Sequence, residues 1–151
     1  MKNRVLIFTS VGCLIAGSLF AGDLTLQLVG STPIAGGGVQ IVGSYAYAVD
    51  AEGLKVLDVS TPSNPSQIGS LATSYAPAAV FVLGNYAYVA DSYGLEIIDV
   101  STPSLPVKVG QYYTSGYGND VHVVGQKAYV TDGASLTILN IADPITRPAP
   151  M

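Results

Sequence analysis

The sequence has little of what most enzymes need for catalysis. Its 151 residues include no tryptophan, one cysteine and one histidine, and only 11% of them are charged. The lone His122 has no second His or Cys with which to bind zinc, and no Gly-x-Ser-x-Gly motif accompanies it. We expect a structural role for this histidine. The sequence therefore predicts a protein without a catalytic residue, a bound metal or a cofactor.

Positive charge is also scarce. Six Lys and Arg residues face ten Asp and Glu residues, and removal of Lys2 and Arg4 with an N-terminal leader would leave a net charge near −6. No basic patch exists for nucleic acid. Beyond the N-terminus no apolar stretch is long enough to span a bilayer, so we expect membrane contact only through the N-terminal segment.

Residues 1–21 have the pattern of a secretory signal peptide. Two positive charges precede an apolar run that ends in small residues near Ala21 and Gly22. An uncleaved membrane anchor and lipidation of Cys13 are alternatives. Either way the sequence predicts an extracytoplasmic protein, which is secreted, periplasmic or held at the cell surface. Cleavage near Ala21 would also remove the one cysteine and with it any disulfide.

The most informative feature is an internal repeat of 41 residues. Val80–Gly110 and Val39–Gly69 are identical at 16 of 31 positions, and a third copy from Val121 matches the middle one at 10 of 24. Each copy contains four short apolar segments separated by Gly, Asp-x-x-Gly or Pro-rich turns, with no helical period. A fixed period of this kind indicates one supersecondary unit used repeatedly, here the four-stranded blade of a β-propeller; a flat solenoid is the alternative.

The two ends of the repeat region do not match. Asp23–Gly30 resembles the fourth strand of a unit, whereas the third copy supplies three strands and is followed by a tail at 147–151. Three blades are too few to close a ring. The all-β region 22–146 is thus predicted to be either part of a longer propeller, truncated at its end, or half of a six-bladed ring. In the latter, two chains would exchange their N-terminal strands as a homodimer.

The blocks YAYVAD, GLEIIDVS and PSLP, with their counterparts in the first copy, resemble the LVIVD repeat of exported bacterial and archaeal proteins. The resemblance covers nearly all of residues 24–146. It implies a β-propeller and a cell-surface setting, but no particular chemistry. The third copy departs from the pattern at Lys127, Ser135 and Asn140, as expected of a terminal repeat.

Alternate loops of an up-and-down blade lie at the same end, so the second turn of each copy should share one face with the links between blades. We call this the turn face. Its acids and tyrosines could bind a cation, stack on sugars or contact a partner; alternatively, each Asp caps its own turn. The candidate partner-binding residues are Tyr75, Tyr93, Tyr117, Asp120, Asp50, Asp91 and Asp132.

The function that we expect is an exported, non-catalytic repeat module that binds or scaffolds a protein or carbohydrate at the cell surface. One alternative is a fragment of a propeller enzyme whose catalytic residues lie outside this chain. Another is a purely structural surface-layer module.

Overall fold

The computed structural model describes residues 27–34 and 36–142, which form eleven β-strands and no helix. The strands are β1 (Gly36–Val42), β2 (Tyr45–Asp50), β3 (Gly53–Asp58), β4 (Ser66–Ala72), β5 (Pro77–Leu83), β6 (Tyr86–Asp91), β7 (Gly94–Asp99), β8 (Val107–Tyr113), β9 (Asp120–Val124), β10 (Lys127–Thr131) and β11 (Leu136–Asn140). The signal-peptide prediction and the tail at 147–151 fall outside these residues.

The strands form three antiparallel sheets, one for each copy of the repeat. Blade 1 has the order β1-β2-β3-β4, blade 2 the order β5-β6-β7-β8, and blade 3 contains β9-β10-β11. The predicted all-β, blade-type fold is therefore confirmed, with three strands of the third blade lying within the described residues. The first strand of blade 2 begins at Pro77, which can start a strand because its missing N–H is not needed there.

The first turn of every blade depends on a glycine. Gly43, Gly84 and Gly125 have φ values of 59°, 60° and 57°, and no other residue type has a positive φ among the described residues. A hairpin loop with positive φ only at its first central residue is of type II′. The Gly-containing turn that the sequence predicts after the first segment of each copy is therefore confirmed.

Apolar side chains fill the two spaces between neighbouring blades. Along β7, Leu95 and Ile97 face blade 3, whereas Ile98 faces blade 1. Both faces of blade 2 are therefore buried, which explains why its strands read as continuous apolar runs. The innermost strands are also joined by Gln40, whose side chain donates to the Val82 carbonyl and accepts from the Val82 amide at 3.1 and 2.7 Å.

The Pro-rich loops at the opposite end are closed by the acid that precedes them. Ser60 and Ser101 donate their backbone N–H groups to Asp58 and Asp99, both at 2.8 Å. The hydrogen bonds from these serines lower the pKa of both carboxyl groups. Asp58 and Asp99 therefore hold the start of the Pro-rich loop in the first two copies.

The segment Asp23–Gly30, predicted to resemble a fourth strand, is not a strand over its described residues 27–30. Residues 27–34 carry no strand hydrogen bonding, since no described strand lies beside them to pair with. Residues 23–26 lie outside the described chain. A Cβ on Gly30 would clash with the Pro62 carbonyl, so the described segment lies against blade 1.

Candidate binding face at the turn end of the blades

The three repeated aspartates of the turn face each cap their own turn. Asp50 Oδ1 accepts from the Glu52 and Gly53 amides at 2.9 and 3.2 Å, and Asp91 Oδ1 accepts from the Tyr93 amide at 2.8 Å. The same arrangement holds in blade 3, where Asp132 Oδ1 accepts from the Ala134 and Ser135 amides at 3.1 and 2.6 Å. The repeated acid therefore has a local function in every blade.

These carboxylates do not converge on one point. Among the described residues, no group of three or more His, Cys, Asp or Glu side chains lies close enough to hold a metal ion. Asp120 is exposed and accepts a hydrogen bond from the adjacent Val121 amide at 2.9 Å. The structure thus gives the cation alternative no coordination site to build on.

Two of the three candidate tyrosines do come together. Tyr75, from the link between blades 1 and 2, stacks on Tyr93, from the second turn of blade 2, with ring centroids 4.0 Å apart and an interplanar angle of 33°. Their residues remain 37% and 51% exposed. The pair therefore forms an aromatic surface open to solvent at the junction of two blades.

The backbone beneath this pair is held on both sides. The Thr73 hydroxyl donates to the Tyr75 carbonyl at 2.7 Å, and the Tyr93 carbonyl accepts from the Thr114 amide at 2.9 Å. The amide of Ser92 also donates to the Ala76 carbonyl across the two elements, at 3.0 Å. Because both ring-bearing segments are anchored, a partner would meet the rings with little loss of backbone entropy.

Tyr117 belongs to the same face but not to the pair. It lies in the link between blades 2 and 3 and is 69% exposed. The link itself is fixed: the Gly118 amide donates to the Asp91 carbonyl at 2.8 Å, and the Asn119 amide donates to the Thr131 carbonyl at 2.7 Å. The turn face thus presents one stacked pair and one isolated tyrosine.

A buried polar cluster lies below the pair, and the sequence reading missed it. Glu96 is fully buried, and its Oε1 accepts from the Ser74 amide and from Lys108 Nζ, both at 2.9 Å. Lys108 Nζ also donates to Gln111 Oε1 at 2.6 Å. The available signal was a departure from the repeat, because the positions 41 residues before and after Glu96 are Lys55 and Thr137.

Asp91 and Asp132 are both buried, with 0% and 1% of their surface exposed, but their neighbours differ. Burial raises the pKa of the Asp91 carboxyl above the ordinary 3.8 and outweighs the opposite effect of the Tyr93 hydrogen bond, and the charge of Glu96 adds to the increase. In contrast, hydrogen bonding, first from the Ser135 amide, lowers the pKa of Asp132. The same turn motif therefore holds one carboxyl group with a raised pKa, that of Asp91, and one with a lowered pKa, that of Asp132.

His122 lies in β9, where its ring meets the edge of the Phe81 ring with centroids 4.5 Å apart. This contact joins the innermost strands of blades 2 and 3, as the Gln40 hydrogen bonds join those of blades 1 and 2. The geometry agrees with a packing role for the histidine.

A family model described as the LVIVD repeat matches the sequence three times, over residues 36–73, 78–114 and 115–148. The chain belongs to the LVIVD repeat family. Each LVIVD match begins near the first strand of one blade, so the repeat and the blade are the same unit. The third match extends over the copy whose sequence departs most from the other two.

A structural genomics protein of unknown function from Bacteroides thetaiotaomicron VPI-5482 has a similar fold. The superposition has a TM-score of 0.54 at 16% sequence identity and covers 82% of the LVIVD chain. It covers 32% of that protein, so the LVIVD chain spans about a third of its length. The likeness concerns the fold alone.

No curated protein matches the sequence significantly. Within residues 27–34 and 36–142 there is no helix that is long and apolar enough to cross a membrane.

Proposed function

We propose that this LVIVD-repeat chain is an exported, non-catalytic module that binds a protein or a carbohydrate at the cell surface through its turn face. The observation that carries the proposal is the stacked, solvent-exposed pair of Tyr75 and Tyr93. Exposed tyrosines contribute a large contact area and a hydroxyl donor at a low cost in side-chain entropy.

The position of the pair supports this function. Both rings lie on turns and links, where a rigid sheet scaffold can present variable side chains to a partner. The equivalent of Tyr93 is Glu52 in blade 1 and Ala134 in blade 3, so the blade fold does not require an aromatic residue there. An exposed aromatic residue that the fold does not require is available for contact with a partner.

The non-catalytic part of the proposal is supported by the use of the repeated acids. The carboxylates of Asp50, Asp91 and Asp132 hold their own turns, which leaves them poorly placed to act as a general acid or base on a bound ligand.

The test compares the wild-type protein with a Tyr75→Ala/Tyr93→Ala double variant. Binding would be measured by affinity electrophoresis against a panel of soluble polysaccharides and by pull-down from a solubilised cell envelope. We expect at least one partner, and a loss of affinity of about tenfold or more in the double variant, since two exposed aromatic contacts are removed. A Leu105→Ala variant, changed in a 69% exposed residue of the opposite Pro-rich loop, should bind as the wild type does.

If the double variant bound its partner as tightly as the wild type does, the tyrosine pair would not be the binding surface. Turnover of any ligand that the protein binds would contradict the non-catalytic assignment. Export is tested separately by sequencing the N-terminus of the protein recovered from an expressing host, which should begin near Gly22. An intact Met1 in a cytoplasmic protein would overturn it.

A further inference from the structure

Negative charge within residues 27–34 and 36–142 is concentrated at the turn face. Six carboxylates and two ammonium groups lie at this end, which gives it a formal charge of −4, or −3 when Asp91 is protonated. They belong to Asp50, Glu52, Asp91, Glu96, Asp120 and Asp132, and to Lys55 and Lys108. The opposite end has the carboxylates of Asp58 and Asp99 and the ammonium group of Lys127, a formal charge of −1. A field of one sign at one end favours a partner of the opposite sign.

The two lysines of the turn face are held by carboxylates of their own blades. Lys55 Nζ lies 2.6 Å from Glu52 Oε2 and 3.8 Å from Asp50 Oδ2. Lys108 Nζ lies 2.9 Å from Glu96 Oε1. No other basic side chain of the described residues lies at this end. An anionic partner would therefore meet repulsion at the turn face, whereas a cationic partner would meet attraction.

The stacked pair of Tyr75 and Tyr93 lies above part of this negative charge. Asp91 Oδ1 accepts from the Tyr93 amide at 2.8 Å, and Glu96 Oε1 accepts from the amide of Ser74, the residue before Tyr75, at 2.9 Å. A buried carboxylate thus lies beside the backbone that carries each ring. The face of an aromatic ring attracts a cation, and arginine and lysine are the cations that proteins supply. The carboxylates below the rings add to that attraction.

A second exposed tyrosine lies near carboxylates at the next junction. Tyr117 is 69% exposed in the link between blades 2 and 3. This link lies on the second turn of blade 3, because a Cβ on Gly116 would be 3.4 Å from the carboxyl carbon of Asp132. Asp120 is exposed at the start of β9, where the link ends. Both junctions therefore combine an exposed tyrosine with carboxylates, which suits a chain that carries positive charges at intervals.

We propose that the turn face binds a positively charged polypeptide segment, whose arginine or lysine side chains lie against the exposed tyrosines. This inference rests on the proposed function and names its partner, which is a basic protein segment and not a carbohydrate. A neutral glycan would stack on the rings without using the charge of the face, and an acidic glycan would be repelled. The cationic groups are held by ring faces and by the surrounding charge, so no metal coordination is required.

The experiment measures the binding of three dye-labelled octapeptides to the purified full chain by fluorescence anisotropy. The peptides alternate glycine with arginine, glutamine or glutamate, so they differ in charge but not in length. We expect the arginine peptide to bind with a dissociation constant below about 1 mM and the other two to show no binding in that range. The affinity should fall as the NaCl concentration rises from about 0.1 to 1 M, because the Debye length falls from about 10 Å to about 3 Å.

Two charge variants test whether the attraction comes from the turn face. Glu52→Gln/Asp120→Asn removes two negative charges from this face and should weaken binding of the arginine peptide roughly threefold to tenfold at about 0.1 M NaCl. Asp58→Asn/Asp99→Asn removes the same charge from the opposite end and is the matched control. Asparagine keeps the acceptor oxygen that closes each Pro-rich loop, so this control should bind within about twofold of the wild type. Circular dichroism checks that both variants are folded.

The tyrosines are tested with the Tyr75→Ala/Tyr93→Ala double variant, which should bind the arginine peptide about tenfold more weakly than the wild type does. Equal weakening by the two charge variants would show a general attraction between a polycation and an acidic protein, and would overturn the proposal. Spermine that bound as tightly as the peptide would overturn the assignment to a polypeptide.

The outcomes also distinguish this inference from the proposed function. A neutral polysaccharide that bound through the tyrosine pair, with no binding of the arginine peptide, would overturn the basic partner and leave the binding role of the pair standing. Binding of the arginine peptide that was unchanged in the Tyr75→Ala/Tyr93→Ala variant would instead remove the pair from both proposals.

Discussion

Replacing Lys108 by methionine should destabilise the contact between blades 1 and 2. The substitution keeps most of the aliphatic stem of the side chain but removes the ammonium group that lies 2.9 Å from the fully buried Glu96 carboxylate. Glu96 would retain its hydrogen bond from the Ser74 amide at 2.9 Å. None of the described residues donates a hydrogen bond to its Oε2, so the variant would bury a negative charge with a single donor from this part of the chain.

The magnitude has an upper and a lower bound. A hydrogen bond to a charged group contributes about 1.5–3 kcal/mol. The loss cannot much exceed the cost of protonating a glutamate at pH 7, about 3.7 kcal/mol, because the variant can take up a proton instead of keeping the charge. The Lys108 side chain is 31% exposed, so water already screens part of the interaction. We therefore expect a decrease in the free energy of unfolding of about 2 kcal/mol.

The measurement is urea denaturation followed by circular dichroism, since the chain has no tryptophan to report on unfolding. The control is Lys55→Met, which removes an ammonium group 2.6 Å from the Glu52 carboxylate, whose side chain is 80% exposed, and 3.8 Å from Asp50, whose side chain is 12% exposed. Glu52 stays in contact with water and Asp50 keeps its hydrogen bonds from the Glu52 and Gly53 amides, so neither carboxylate loses its last charged or exposed partner and the control should lose less stability than Lys108→Met.

A second variant tests the cause. The Glu96→Leu/Lys108→Met double substitution removes both charges and should recover most of the stability that the single substitution loses. If Lys108→Met were as stable as the control, the carboxylate would not depend on its counter-ion. If the double variant were less stable than Lys108→Met, the lost stability would come from packing and not from the Glu96 charge that Lys108→Met leaves without a counter-ion.

Three further predictions follow from the turns and the innermost strand. Asp91→Asn should gain stability relative to the wild type as the pH rises from about 4 to 7, because a raised pKa means that the wild type loses stability when Asp91 ionises. Asp132→Asn should instead lose stability relative to the wild type as the pH rises to about 4 and change little above it, because a lowered pKa places the titration below the ordinary 3.8. Thermal unfolding at several pH values distinguishes the two, and parallel pH profiles would contradict the assignment. Gly84→Ala should lower the free energy of unfolding by about 1–2 kcal/mol in urea denaturation, because an alanine is strained at the φ of 60° found there. Nothing lies within 4 Å of the added Cβ, so the cost comes from the backbone and not from a clash. An unchanged midpoint would contradict the left-handed turn. His122→Ala should leave binding by the turn face within a few-fold of the wild type, and a hundredfold loss in a folded variant would show that the ring has a direct role.

The fold could be predicted from the sequence because it is repeated three times. The Gly-x turn, the Asp that caps the second turn and the Asp before the Pro-rich loop recur at a spacing of 41 residues, and each is confirmed by its backbone geometry or hydrogen bonds. A local signal that recurs in step with the strands is difficult to misread. The described part of the predicted N-terminal strand was wrong because a strand needs a neighbour to pair with, which its own sequence cannot supply.

The candidate face could be predicted only in outline. Topology places the turns and links at one end, so the sequence could bring Tyr75, Tyr93 and Tyr117 to the same face. It could not show that the first two stack while the third stands apart, since that depends on how far blade 1 is rotated against blade 2. The buried Glu96 and Lys108 were missed for a related reason, because burial of position 96 depends on Ser74 from the preceding link.

The comparison of the three copies separates residues that make a blade from residues that are specific to this chain. Asp50, Asp91 and Asp132 agree in all copies, and each is used within its own turn. The stacked tyrosines and the buried charge pair lie where the copies disagree, and both are concentrated at the junction of blades 1 and 2. A requirement of the fold should recur in every blade, whereas a partner needs its contacts in one place. For that reason the positions that break the repeat are the ones to substitute first when testing the proposal that this LVIVD module binds a partner.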